Sequence, residues 1–591
     1  MKHLNRLALA VATLAVSLAA IYAATESKPT RDELTKLQRD GNYKDAYDGL
    51  SALALDKGDD PAKVGEDLTS AVTCLQSINR TNEVDAFMEK VIAAHGGNWK
   101  LLWTAARTYM NLEHNGVVVS GQFERGNHRG GGRWMNAFER DRVRAMQLMA
   151  QAMPLTDKVA KEGRDDVGKY YLELSNMLLA NRGWGDAWRL QYLTDLTKLA
   201  DYDEGYYGWY GRGWGNGGGA ARGAPVDDKG HVIYHKRPKT WGDASTDGER
   251  WRWCLTQAEE FGHSAEARFT FADFLHNQFG VQTMGGYGRL FGRQADDSKK
   301  DTSGPYELSS LGEDETIARL ATGIRRFTLP DEFNYIKVYQ QLAAEGKDKA
   351  AESLDALASI FEDRQQYPKA ADYWKQAIAK FGPGPANNHY RQNRLDQIVD
   401  NWGLFEGTMT QPAGAGATVD FRFRNGGKVS FVANEIDIAK LLADVKAYIK
   451  TLPAQLDWEK VSIDQIGWQL VQNKRKEYMG KEVAKWDLKL DPRPNHFDRR
   501  VTVATPLQQA GAYLLTSTME GGNTCSTVLW VADTAIVKKP LDGKSYYFVA
   551  DAASGQPLPK LNVEYFGYSQ QWKNDPGNRS GHMETSTLDF A

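Results

Sequence analysis

The spacing of apolar residues changes once along this chain, near Trp402, and that change restricts the folds open to it. Before it, apolar positions recur every three to four residues, the spacing of one helix face. After it they alternate with polar positions, the spacing of a half-buried strand. The chain therefore reads as a multidomain α-then-β protein. Its 591 residues are too many for a single core.

The helical part, residues 25–402, shows paired-helix patterning. Leu34, Leu37, Tyr43, Ala46 and Tyr47 flank a turn at Gly41-Asn42. A cleaner copy has Leu357, Ile360 and Phe361 on one face and Tyr367, Ala370, Ala371, Trp374, Ala377 and Ile378 on the next, stopped by Gly382-Pro383. This resembles tetratricopeptide repeats, which stack into a solenoid with a concave binding surface. Three glycine-rich tracts interrupt the helices: Gly121 to Gly132, Gly205 to Gly223, and Gly285 to Gly292. Segments of this kind are expected to be long functional loops, ordered by their aromatic content.

Beyond Trp402, Val419, Phe421 and Phe423 alternate, then Val429 and Phe431 do so after Asn425-Gly426-Gly427, which predicts a hairpin. An amphipathic helix over 436–449 follows. Strands are then expected around Ala484–Leu490, Val501–Val503, Tyr513–Ser517, Val528–Val531, Tyr546–Val549 and Leu561–Phe566. Short strands divided by turns imply β-sandwiches. A boundary at Lys538-Lys539-Pro540 gives one sandwich over 403–539 and the start of a second, incomplete, over 540–591.

Residues 1–24 read as a signal peptide. Lys2, His3 and Arg6 precede an apolar run from Leu7 to Ala20, and small Ala23 and Ala24 follow. The run is short for an uncleaved anchor, and no later stretch reaches spanning length. The expectation is an exported protein, periplasmic or extracellular, with no membrane span after cleavage. A net charge of −3 argues against a nucleic-acid binder. Three cysteines, none in a CxxC pair, exclude a disulfide scaffold and a cysteine zinc site.

Catalytic signatures are absent: there is no HExxH, GxSxG or Walker A loop. Gly213 to Gly218 matches GxGxxG only through its glycine-rich composition. His231 and His235 sit four apart in a strand-like run, where that spacing is not a helix face. His263 and His276 fall in helical patterns beside phenylalanines, as core or interface histidines do. Cys525 reads as a small buried hydrophobe. Neither an enzyme nor a cofactor or metal site is expected. Two groups remain as ligand or partner contacts. Arg125, Arg129 and Arg133, with His128, can hold an anion, or else pair with Glu124, Glu139 and Asp141. Trp209, Tyr210 and Trp214 can stack on a polysaccharide, or else fill gaps between repeats.

The last third carries a more specific signal. Thr505–Ser517 contains Pro506-Leu507, Gly511 and Tyr513-Leu514. Ser526–Lys539 contains Val531, Asp533, Ala535, Val537 and Lys539. Ser545–Pro559 contains Phe548-Val549, Asp551, Ser554-Gly555 and Pro557-Leu558. In this order the segments resemble the macroglobulin-type domains of the bacterial alpha-2-macroglobulin family, over roughly 403–591, and the helical part resembles an extension some members carry. The resemblance implies an endopeptidase inhibitor: a bait segment is cut, the molecule rearranges, and in many members a Cys-x-Glu-Gln thioester bonds the attacker. Target proteases or envelope proteins are the implied partners. No Cys-x-Glu-Gln occurs here. The visible part is then expected to be scaffold, with bait and thioester lying beyond Ala591.

Overall fold

The computed structural model describes residues 29–126, 130–159, 163–204, 223–287, 307–472, 476–574 and 581–590. The expected signal peptide lies outside them. Two compact units divide the chain. One runs to Gly286 and resumes over Gly312–Ser353; the other takes Tyr287–Leu311 and Leu354–Ala591.

The first unit is mainly helical. α1 (Arg31–Arg39) begins at a capping box, in which Thr30 and Glu33 satisfy each other's backbone N–H groups. It turns through Gly41 into α2 (Tyr43–Leu55). Then come α3 (Val64–Ser77), α4 (Val84–Ala94) and α5 (Trp99–Asn111). Their apolar stripes, including Leu50, Leu68, Leu75, Val91 and Leu102, are buried. Within the tract Gly121–Gly132, expected as a loop, residues 122–125 form a strand instead. β1 (Asn115–Val119), β2 (Gln122–Arg125) and β3 (Arg133–Asn136) pair antiparallel. The β-branched run Val117–Val119 favours a strand, and Ser120 and Gly121, both at positive φ (51° and 83°), form the tight turn such a hairpin needs. α6 (Phe138–Thr156) and α7 (Arg164–Leu179) follow, then β4 (Asp203–Glu204), which joins the sheet in the order β2-β1-β3-β4. α8 (Asp247–Glu260) and α9 (Ser264–Phe279) lead to the hairpin β5 (Glu315–Leu320) and β6 (Gly323–Thr328), and α10 (Tyr335–Glu345) follows.

α11 (Ala350–Asp363) crosses the division between units, so the compact bodies do not part at the change of period near Trp402. α12 (Tyr367–Phe381) and α13 (Tyr390–Val399) belong with the strands, and hydrogen bonds explain why. Asn425 donates to the carbonyls of Ile398 and Asp400, both at 2.9 Å, and the Tyr367 ring meets the Phe497 ring edge-on at 5.4 Å.

The strands form a two-sheet sandwich. β7 (Trp402–Phe405), β9 (Thr418–Arg424) and β12 (Arg499–Ala504) make the sheet ordered β12-β9-β7. The facing sheet is ordered β11-β10-β13-β14-β8, from β8 (Gln411–Pro412), β10 (Lys428–Ile436), β11 (Met479–Lys489), β13 (Gly511–Met519) and β14 (Thr524–Ala532). Their shared core holds Phe405, Phe421, Phe423, Phe431, Tyr513, Leu515 and Leu529, with Trp486 stacked on Phe431 at 5.2 Å. The expected hairpin at Asn425-Gly426-Gly427 does not form. β9 and β10 lie in different sheets, so the turn is an arch across the core. Both strands aim their alternating apolar residues at one interior, and Asn425, at φ 60°, uses its amide on the preceding helix and on His496.

The expected helix over 436–449 is α14 (Ile438–Lys450). With α15 (Trp458–Val461) and α16 (Ile466–Val471) it covers the outer face of the larger sheet: Leu441, Val445, Ile449, Ile466 and Leu470 pack on Ala512 and Leu514. β13 is thus buried on both faces. Beyond it, β15 (Thr534–Leu541) pairs with β16 (Lys544–Asp551), and β17 (Tyr565–Asn574) with β18 (Gly581–Phe590), as separate two-stranded ribbons. The expected break at Lys538–Pro540 falls inside β15, and Leu561 precedes the start of β17. Ile536, Val537, Leu541 and Tyr546 of the first ribbon are exposed.

Candidate functional site

The first candidate group converges on a charge network within the first unit. α4 presents Asp85 and Glu89 four residues apart, and α6 presents Arg140 and Arg144 at the same spacing, so each pair shares a helix face. Arg125, the last residue of β2, reaches between them. Its Nε donates to Asp85 Oδ1 (3.2 Å), its Nη1 to the Glu113 carbonyl and Asp141 Oδ2 (both 2.7 Å), and its Nη2 to Asp141 Oδ1 (2.8 Å) and Asp85 Oδ1 (2.9 Å). All five guanidinium donors are committed. Arg144 forks onto Glu89 at 2.7 and 2.6 Å, and the Tyr109 hydroxyl donates to the same carboxylate at 2.7 Å. Arg140 stacks over Tyr202 at 4.7 Å, and Tyr202 stacks on Phe123.

These groups line a cavity of about 300 Å³. Its three carboxylates (Asp85, Glu89, Asp141) balance its three arginines (Arg125, Arg140, Arg144). Burial works against the Arg125 cation, yet Asp141 and Asp85 outweigh it and hold the guanidinium above its ordinary pKa. Burial raises the Asp85 carboxyl, opposed by Arg125. Burial also acts to raise Glu89, but Arg144 and Tyr109 bring it below the usual carboxylate range. Among the described residues the carboxylates and arginines of this cavity are equal in number.

Arg133 forms an exposed pair with Glu204 at 2.9 Å. Arg129 and His128 lie outside the described residues, as do Trp209, Tyr210, Trp214 and the 213–218 glycine tract. Glu139, one expected partner of the cluster, serves Arg142 and Arg182 instead. His231 is exposed and bonds Asp227 at 3.0 Å. His235 is only 8% exposed, and burial, with Arg252 nearby, drives its pKa down to about 4. His263 bonds Glu266 and the Asp165 carbonyl at the start of α9, and the His276 ring lies 5.2 Å from that of Tyr335. Cys525 Sγ lies 3.0 Å from Ser517 Oγ. Among the described residues no group of three or more His, Cys, Asp or Glu is placed to hold a metal ion. No helix among them is long and apolar enough to cross a membrane.

Sequence reasoning missed Asp85, Glu89, Tyr109 and Arg144. The signal was present as two opposite-charge ladders on separate helices, but nothing local says which helices face each other.

No protein-family model matches the chain, and no curated protein matches it. Among solved structures it is similar to native alpha-2-macroglobulin from Escherichia coli spanning domains MG0-NIE-MG1, at 14% identity and a TM-score of 0.21. The alignment covers 32% of this chain and 58% of that one.

Proposed function

We propose that this chain is the non-catalytic scaffold portion of an exported alpha-2-macroglobulin-like endopeptidase inhibitor. The observation that carries the reading is where the three family-like segments fall. Thr505–Ser517 enters β13, Ser526–Lys539 runs along β14 into β15, and Ser545–Pro559 contains β16 and the turn that follows. They are consecutive strands joined by short turns, with Tyr513, Leu515, Leu529 and Val531 in the sandwich core. The Ser554-Gly555 turn is fixed by Asp551, whose carboxylate accepts from the backbone of Ala553 and Ser554. The helical part, read as a tetratricopeptide-like array, would dock a partner.

The test mixes the protein expressed from its intact gene with endopeptidases of differing specificity. A trap slows cleavage of a large protein substrate, spares a small peptide substrate and yields a stable complex on size exclusion. Unchanged cleavage of both substrates, with no complex, overturns the reading.

A second reading, an envelope-protein scaffold without protease trapping, is favoured by Trp458 and Trp468 of the helical insert, 64% and 52% exposed. Capture of a defined envelope protein by the full chain, abolished by Trp458→Ala with Trp468→Ala, would support it.

A further inference from the structure

Sulfur side chains are where a two-electron oxidant first attacks a protein, and access decides which of them it reaches. Access here is unequal. Met409 is 81% exposed. Every other methionine among the described residues is buried or half-buried, Met88, Met146 and Met149 completely so. Cys74 and Cys254 are buried, and the half-buried Cys525 lies beside the Ser517 hydroxyl. Burial pushes the Cys74 and Cys254 thiols up, which keeps them protonated and unreactive.

The exposed thioether sits on an anchored loop. Met409 lies between β7 and β8, and both of its flanks are held. On one side the Glu406 N–H donates to the Asp420 carbonyl at 2.9 Å, and the Thr408 hydroxyl donates to the Val528 carbonyl at 2.9 Å. On the other, the Thr418 N–H donates to Gln411 Oε1 at 2.8 Å, and β8 pairs with Val531 and Ala532. The exposure of Met409 is thus built into the sandwich rather than the result of a frayed end.

We propose that Met409 is a reversible oxidation site for peroxides. The sulfur lone pair forms an S–O bond as the O–O bond breaks. The sulfur-bound hydroxyl then gives its proton to the departing hydroxide, which leaves as water. Sulfur loses two electrons, the peroxide gains them, and the product is methionine sulfoxide. The reverse step takes two electrons from a pair of thiols, which become a disulfide, and the oxygen leaves as water; methionine sulfoxide reductases catalyse it. At 81% exposure the new S=O dipole sits in water, so the sandwich core is undisturbed. Oxidation of a buried methionine would instead set a polar group among apolar ones. The site rests on neither functional reading above and survives the failure of both.

The experiment treats the protein expressed from its intact gene with hydrogen peroxide and follows each methionine by peptide mass spectrometry. Met409 is expected to gain its oxygen first, about tenfold or more ahead of the half-buried Met110, Met153, Met479 and Met583. Protein oxidised there should keep the melting temperature of the untreated sample. Methionine sulfoxide reductases of both epimer specificities, supplied with dithiothreitol, should remove the oxygen from the folded protein. Met409→Leu should abolish the fast phase and leave the slower ones unchanged. Another described methionine oxidised as fast as Met409 overturns the assignment, and so does a fast phase that persists in the variant. A sulfoxide that both reductases leave in place overturns its reversibility. A melting temperature lowered by oxidation at Met409 alone overturns the claim that the change spares the core.

Discussion

Arg125 holds the strand tip to two helices, and its value lies in completeness. Removing it leaves the Asp141 carboxylate, buried at 4% side-chain exposure, without its main counter-charge. Arg125→Ala should lower stability to chemical denaturation by about 3–5 kcal/mol. Arg125→Lys should recover only part of this, because an ammonium cannot fork across Asp85 and Asp141 together. Arg133→Ala, which breaks only an exposed pair, should change little. His235 provides a pH signature. Unfolded, its imidazole protonates near 6.5; folded, burial and Arg252 delay that to about 4. Between those values the unfolded chain binds more protons, so stability falls as pH drops from 6.5 towards 4. The full contribution is about 3 kcal/mol. Denaturation curves from pH 7.5 to 4.5 should show that slope, reduced in His235→Gln. Substituting Gly248 is a separate probe of the same contact, since an added Cβ would sit 2.1 Å from the His235 ring.

At the scale of elements, β13 is the most sensitive strand, because Leu515 fills the sandwich while Leu514 lies under the helical insert. Leu515→Ala should cost about 2–5 kcal/mol, measured by urea unfolding. Asn425→Ala removes the side chain that ties the arch to α13 and to His496, and should destabilise by about 1–3 kcal/mol. The arch shows how far sequence could reach. Alternation located β9 and β10, and the amphipathic stripe located α14 to within two residues, because those periods are local. Which strands pair is a long-range matter: β10 finds its neighbours in β11 and β13, far along the chain. The Asn-Gly signal was read as pairing when it encodes only positive φ. The Ser120-Gly121 hairpin was overlooked for the opposite reason, since high glycine content masked three valines in a row. In the candidate site, Arg125 and Asp141 were legible as charges. Asp85 was not, because it lies 40 residues from Arg125 on a helix whose orientation emerges only when the apolar faces have packed.

For the whole molecule, two compact units with separate cores should unfold in more than one calorimetric step. Arg125→Ala is expected to shift one step and Leu515→Ala the other; a single transition moved equally by both would show that the units melt together. The ribbon of β15 and β16 has a different consequence, for handling the protein. A two-stranded sheet is only marginally stable alone, and among the described residues this one leaves Ile536, Val537 and Leu541 in water on β15, whose outer edge pairs with no strand. Concentrated solutions should therefore self-associate through this seam. Placing a lysine at Ile536 should delay the onset of light scattering while leaving the melting profile of the sandwich intact.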